Sequence, residues 1–176
     1  MGSGPPVYIQ KITRTKEIEK NTVNGSFGYI NNISSPLVLY AIGVKYDLGV
    51  DAPADLTRAA PCYRRAAEQG HAMAQFNLGS MYNHGRGVEN ENVESVRWYR
   101  EAANQGVPNA QCSLGHMYFE GMGVEKNWEE AVIWFRLSAA QGNRRAADAA
   151  RFITARTQAK MIPLPNRQSH SASFKY

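Results

Sequence analysis

The side chains best suited to chemistry are four histidines and two cysteines: His71, His84, His116, His170, Cys62 and Cys112. Cys112 and His116 stand four residues apart, which on a helix puts a thiol and an imidazole on one face, where they could share a metal ion. Zinc sites take three or four protein ligands, however, and no second Cys/His pair has a matching spacing, so neither a metal nor any other cofactor is expected. Gly85-Arg86-Gly87 and Gly121-Met122-Gly123 look like phosphate-binding loops in isolation. Each follows a helical pattern and lacks the strand that introduces such a loop, so both read as structural turns. The chain has no G-x-S-x-G elbow, no GKT or GKS and no HExxH. The expectation is a protein that is not an enzyme.

The elements that carry these residues recur. Ala74, Leu78-Gly79, Tyr82, Gly85-x-Gly87-Val88, Trp98-Tyr99, Ala102-Ala103 and Gly106 meet their counterparts 36 residues on. Those are Ala110, Leu114-Gly115, Tyr118, Gly121-x-Gly123-Val124, Trp134-Phe135, Ser138-Ala139 and Gly142. One period earlier stand Ile42-Gly43, Tyr46, Gly49, Cys62-Tyr63, Ala66-Ala67 and Gly70. A fixed period in this range marks stacked units that cannot bury their apolar faces alone. The units span residues 37–73, 74–109 and 110–145, each a helix A, a glycine loop and a helix B. Ala74, Leu78 and Tyr82 form one stripe on helix A, and Gly79 and Gly115 lie beside it where two helices can approach closely. Gly85 and Gly121 stop helix A, and the valine after each loop can tuck onto the core. Asp55 and Asn127 are expected N-caps, with Glu130 completing a capping box on Asn127.

This pattern, A-x3-LG-x2-Y-x2-G-x-GV followed by an aromatic pair, small residues and glycine, resembles the Sel1-like repeat, an α/α-solenoid relative of the tetratricopeptide repeat. The resemblance covers residues 38–155. It implies an all-α fold, a right-handed α/α superhelical solenoid of three helix-pair repeats plus a C-terminal capping helix. The first unit departs from the pattern: Asp51 replaces the second loop glycine, Ala52 the valine and Cys62 the tryptophan. Pro61 falls inside its helix B and predicts a kink or a late start. Residues 146–160 read as the cap helix, with Arg151 at the packing-glycine position. Trp98 and Trp134 fill the aromatic slot of the repeat, whereas Trp128 reads either as a partner contact or as a staple onto the loop before it.

In solenoids of this kind helix A lines the concave face. Three columns on it point away from the stripe: Tyr40, Phe76 and Cys112; Val44, Ser80 and His116; Asp47, Asn83 and Phe119. Phe152 joins them from the cap helix. These aromatics predict a groove for a peptide segment or a partner helix, unless the chain's own extensions cover them. The resemblance implies a non-catalytic protein–protein interaction scaffold or adaptor, a structural or assembly subunit of a larger complex.

Charge is unevenly placed. Residues 38–143 hold nine Lys/Arg against twelve Asp/Glu, and residues 144–176 hold seven against one. The basic end, Arg144, Arg145, Arg151, Arg156, Lys160 and Arg167, points to an acidic partner, whether protein, nucleic acid or lipid headgroup, unless it is a solvated end that keeps the protein soluble. Residues 1–36 form an irregular extension in which Asn24-Gly25 could turn a small hairpin between residues 18–23 and 26–30, or a short helix could form over residues 15–20. Residues 161–176 read as an extended basic tail. No apolar stretch is long enough to span a membrane and none near Met1 resembles a signal sequence. Two unpaired cysteines fit a reducing intracellular compartment, the cytoplasm first and the mitochondrion second.

Overall fold

The structure, a computed structural model, describes residues 35–161; the hairpin expected over residues 18–30 and the tail from residue 162 onward, with Arg167, lie outside them. Seven helices follow one another, with no strand among the described residues. They are α1 (Pro36–Leu48), α2 (Leu56–Glu68), α3 (Ala72–His84), α4 (Asn92–Asn104), α5 (Pro108–Glu120), α6 (Trp128–Ala140) and α7 (Arg144–Met161). The helices A are α1, α3, α5 and α7; the helices B are α2, α4 and α6. Starts are spaced by 36 residues within each class, and α1 to α6 have 13 residues each. The sequence period is therefore a structural period, and α7 occupies the helix-A place of a fourth unit.

Helix A meets helix B through a glycine and an aromatic ring. A Cβ built on Gly43 would fall 2.7 Å from the Tyr63 ring, on Gly79 2.8 Å from Tyr99, and on Gly115 2.9 Å from Phe135. Tyr63, Tyr99 and Phe135 are all buried, so the missing side chain admits one buried ring in each unit. Arg151 stands at the fourth place in this series and is exposed, with no helix B beyond it among the described residues.

The loops carry the contacts between units. Gly85 and Gly121 end their helices in the left-handed conformation, and the next backbone N–H bonds Met81 or Met117. Gly87 and Gly123 then press on the preceding helix B: an added Cβ would lie 2.4 Å from the Leu56 carbonyl oxygen or 2.3 Å from that of Asn92. Val88 and Val124 pack on the core beneath. Asp51, at the same register in the first unit, holds φ +65° as a non-glycine residue at an exposed position.

A glutamine ladder ties the stack along its other edge. Gln75 is buried; it donates to the Ala67 carbonyl at 3.1 Å and accepts from Gln105 at 2.6 Å. Gln111 repeats this with the Ala103 carbonyl at 3.2 Å and Gln141 at 2.9 Å. Leu39 holds the corresponding place in the first unit, and there Gln69 turns back to the Arg65 carbonyl. Arg64 and Arg100 likewise donate to the hydroxyls of Tyr82 and Tyr118 in the next unit, at 2.6 and 2.8 Å.

Two expectations about helix ends change. α2 begins at Leu56, in register with α4 and α6, and runs through Pro61, so no late start occurs. Its cap Asp55 accepts from the Arg58 N–H at 3.0 Å, which holds the first turn in place despite the proline. Asn127 caps α6 by accepting from the Glu130 N–H, but its own N–H goes to the Tyr118 carbonyl at 2.9 Å. The Glu130 carboxylate therefore finds no N–H to take at the cap, and the reciprocal half of the box is not made. The same carbonyl-to-cap bond recurs from Tyr46 to Asp55 and from Tyr82 to Glu91, so the tyrosine backbone, not a glutamate, closes each loop.

Candidate functional site

The three helix-A columns have different surroundings. Asp47 accepts from the Tyr63 hydroxyl at 3.1 Å and from Arg86 of the next loop at 3.0 Å. Burial, then the Asp47 carboxylate, push the Tyr63 phenol far above its ordinary pKa. Asn83 lies by Tyr99, whose phenol burial also raises while hydrogen bonding from Ser80, Ser113, Ser95 and Asn83 opposes it. Where helix B offers Phe135 instead of a tyrosine, the third column offers Phe119, packed on the same core cluster. This column matches hydroxyl with polar partner and ring with ring, so it serves the joint between helices A and B.

The first column is half-buried. Tyr40 stacks on His71 with centroids 4.4 Å apart, and Phe76 tilts against Tyr99 at 5.9 Å. The second opens progressively: Val44 and Ser80 are partly covered, His116 is exposed with its ring edge-on to Phe135 at 5.0 Å, and Phe152 is 57% exposed.

His71 also caps α3, its Nδ1 accepting from the Ala74 N–H at 3.2 Å. A cap acceptor must be unprotonated, and burial holds this imidazole below its usual pKa. The folded state favours the neutral ring. Its contribution is thus complete above the unfolded value of 6.5 and lost as pH falls through the lower folded one. Asn143, at the same register before α7, caps without titrating by accepting from the Ala146 N–H at 3.2 Å. His71→Asn is expected to keep the cap and flatten the acid loss of stability; melting temperatures on either side of pH 6.5 check this, and an unchanged acid slope would contradict it.

One groove gathers several of the residues singled out in the sequence. It measures about 710 Å³, with Phe76, Cys112 and His116 on one side and Arg144 and Arg145 opposite, joined by Asn109. It lies where α3, α5 and the start of α7 come together. Burial pushes the Cys112 thiol up, while Arg145 and a hydrogen bond with Asn143 pull it back. Cys62 is buried and pushed up to about 11, so neither thiol is primed as a nucleophile. Among the described residues no three His, Cys, Asp or Glu side chains form a set that could hold a metal ion.

The residues grouped as a basic end are divided by the structure. Arg144 and Arg145 face the groove, Arg151 pairs with Asp148, and Arg156 lies over the Trp128 ring at 5.7 Å. Lys160 lies on α7. Trp128 stacks on Phe119 at 5.9 Å beneath Lys126, and so staples α6 to the preceding loop and to α7. Asn109 and Asn143 were not anticipated in the groove. Their signal was positional, since each falls at or just after the short B-to-A turn.

Three consecutive segments, residues 36–71, 72–107 and 108–143, match the Sel1 repeat. The chain belongs to the Sel1 repeat family. Sel1-repeat proteins form a non-catalytic scaffold family that generally mediates protein–protein interaction. Among solved structures, this Sel1-repeat chain is 38% identical to c5321, a protective antigen present in uropathogenic Escherichia coli strains displaying an SLR fold. That match has a TM-score of 0.68 over 69% of this chain and 26% of the antigen. A Sel1 repeat protein from Oxalobacter formigenes is 37% identical, with a TM-score of 0.68 over 72% of this chain and 50% of that one. Helicobacter pylori cysteine rich protein B shares the fold at 22% identity and a TM-score of 0.51, covering 53% of this chain and 71% of its own. The chain thus spans about a quarter and half the length of the first two. No curated protein matches it. No described helix is long and apolar enough to cross a membrane.

Proposed function

We propose that the protein is a non-catalytic adaptor, a structural or assembly subunit that grips a partner protein in the groove between α3, α5 and α7. The observation that carries this reading is the groove itself: about 710 Å³, half-buried aromatic side chain on one wall and exposed arginines on the other. A concave surface of this size on which an aromatic side chain and several polar and charged ones converge is a recognition surface. Two free thiols fit work inside a reducing compartment. The test is affinity purification of the full chain from its source, with and without nuclease, beside a His116→Trp variant. His116 is exposed, so the indole projects into the groove, and an unchanged melting temperature shows that the Phe135 ring beneath it keeps its place. A stoichiometric, nuclease-resistant partner that is lost from the variant is the expected result. Partners that ignore the variant and vanish with nuclease would move the function to nucleic acid and the basic residues of α7.

A further inference from the structure

The two arginines at the start of α7 are in an unfavourable place for the helix. Backbone dipoles make a helix N-terminus positive, so cations in the first turn destabilise it and acids stabilise it. α7 has no acid in its first turn to offset Arg144 and Arg145. The other helices A begin Pro36-Leu37, Ala72-Met73 and Pro108-Asn109, neutral in every case. The charge therefore departs from the repeat at the one unit whose helix A closes the groove.

Nor is that charge answered within the described chain. Three exposed arginines have carboxylates, Arg86 with Asp47, Arg97 with Glu94 and Arg151 with Asp148, and three others rest on or donate to an aromatic side chain, Arg58 on Tyr46, Arg64 on Tyr82 and Arg156 on Trp128. No described carboxylate pairs with Arg144 or Arg145. The rest of the repeat body, residues 38–143, carries three more acids than bases. An acidic ligand is repelled by that body and attracted to this one wall, which sets both its position and its direction. Across from the arginines, Phe76 and Cys112 supply a half-buried apolar floor, and the Asn109 side chain adds an amide for a peptide backbone.

We infer that the groove binds an acidic peptide segment carrying a large apolar side chain, its carboxylates on Arg144 and Arg145 and the apolar group on Phe76 and Cys112 beside His116. The inference rests on the groove reading above and names its ligand class. It also makes one partner, rather than two, responsible for the aromatic wall and the basic one. Arginine suits the task because its planar fork meets a carboxylate with two parallel hydrogen bonds.

Fluorescence anisotropy on the full chain tests it, with labelled peptides of equal length holding one phenylalanine among glutamates, glutamines or lysines, and a single-stranded oligonucleotide of matched charge. The glutamate peptide is expected to bind roughly tenfold or more tightly than the glutamine one and to weaken with salt. Arg144→Glu with Arg145→Glu should reverse the preference toward lysine while the far-ultraviolet dichroism holds and the melting temperature stays level or rises, as acids in a first helical turn require. Equal binding of the glutamate and glutamine peptides, unchanged by the double reversal but abolished by His116→Trp, overturns the acidic ligand and leaves the groove reading standing. Oligonucleotide binding that outcompetes the peptide and survives His116→Trp overturns both. Failure of every peptide to bind at about 1 mM also overturns the inference, and the native purification then decides the groove reading alone.

Discussion

Gly123→Ala is expected to destabilise the protein by about 3 kcal/mol, whereas Gly106→Ala should cost only about 1 kcal/mol. Both glycines have positive φ, +65° and +85°, so alanine at either one meets the same left-handed strain. The surroundings differ. A Cβ on Gly106 meets nothing within 4 Å, while one on Gly123 falls 2.3 Å from the backbone of Asn92 in the preceding unit. Backbone cannot swing aside as a side chain can, so α6 and its loop must lift away from α4. Solenoid stability is a sum of unit and interface terms, and this substitution attacks an interface term directly. The third unit and cap helix should then unfold at lower denaturant than the first two. Urea titration followed by tryptophan fluorescence reads this as a lower midpoint and a shallower slope. Equal losses from the two variants would show that the loop does not bear on α4 as described.

Asp51 shows why this contact was only half legible in sequence. The second loop glycine recurs at 87 and 123 and is missing at 51, which reads as a weak repeat. The structure supplies the reason: Gly87 and Gly123 face a preceding helix B, and Asp51 takes the same backbone conformation at an exposed position. Period, helix order and the packing glycines were readable because each is a same-type residue at a fixed offset. Side-chain partners across the stack were not. Gln75 and Gln105 are 30 residues apart, and Tyr63 meets Asp47 across 16, offsets that belong to no local pattern. The groove was half legible for the same reason. Helical periodicity placed Phe76, Cys112 and His116 on one face, but it could not show that Arg144 and Arg145 close that face from the next helix. Nor could it show that Asp47 and Asn83 turn toward their own helix B.

Phe135→Ala should cost about 3–5 kcal/mol, the usual penalty for emptying a buried phenylalanine site. Phe135 has no exposed surface. Its partner, Gly115, gives the sharper test. In the native protein Gly115→Ala sets a Cβ 2.9 Å from the Phe135 ring, and the tight core on either side leaves that ring little room, so about 1–3 kcal/mol should be lost. Once Phe135 is alanine the collision is gone, and Gly115 is an interior residue of α5. Glycine there is worse than alanine by about 1 kcal/mol, because it keeps more freedom in the unfolded chain. Gly115→Ala is therefore expected to change sign, destabilising in the native background and stabilising in Phe135→Ala. A double-mutant cycle by urea denaturation measures the coupling. Additive costs would mean that the ring and the glycine do not oppose each other. The joint also bears on function, since His116 on the groove wall rests edge-on against Phe135 at 5.0 Å. Removing the ring should loosen that wall and weaken the acidic peptide. Phe135 also shares its core cluster with Ala146, Ala150 and Ile153 of α7, so the helix that carries Arg144 and Arg145 should loosen with it, and the glutamate-over-glutamine preference should shrink along with the affinity.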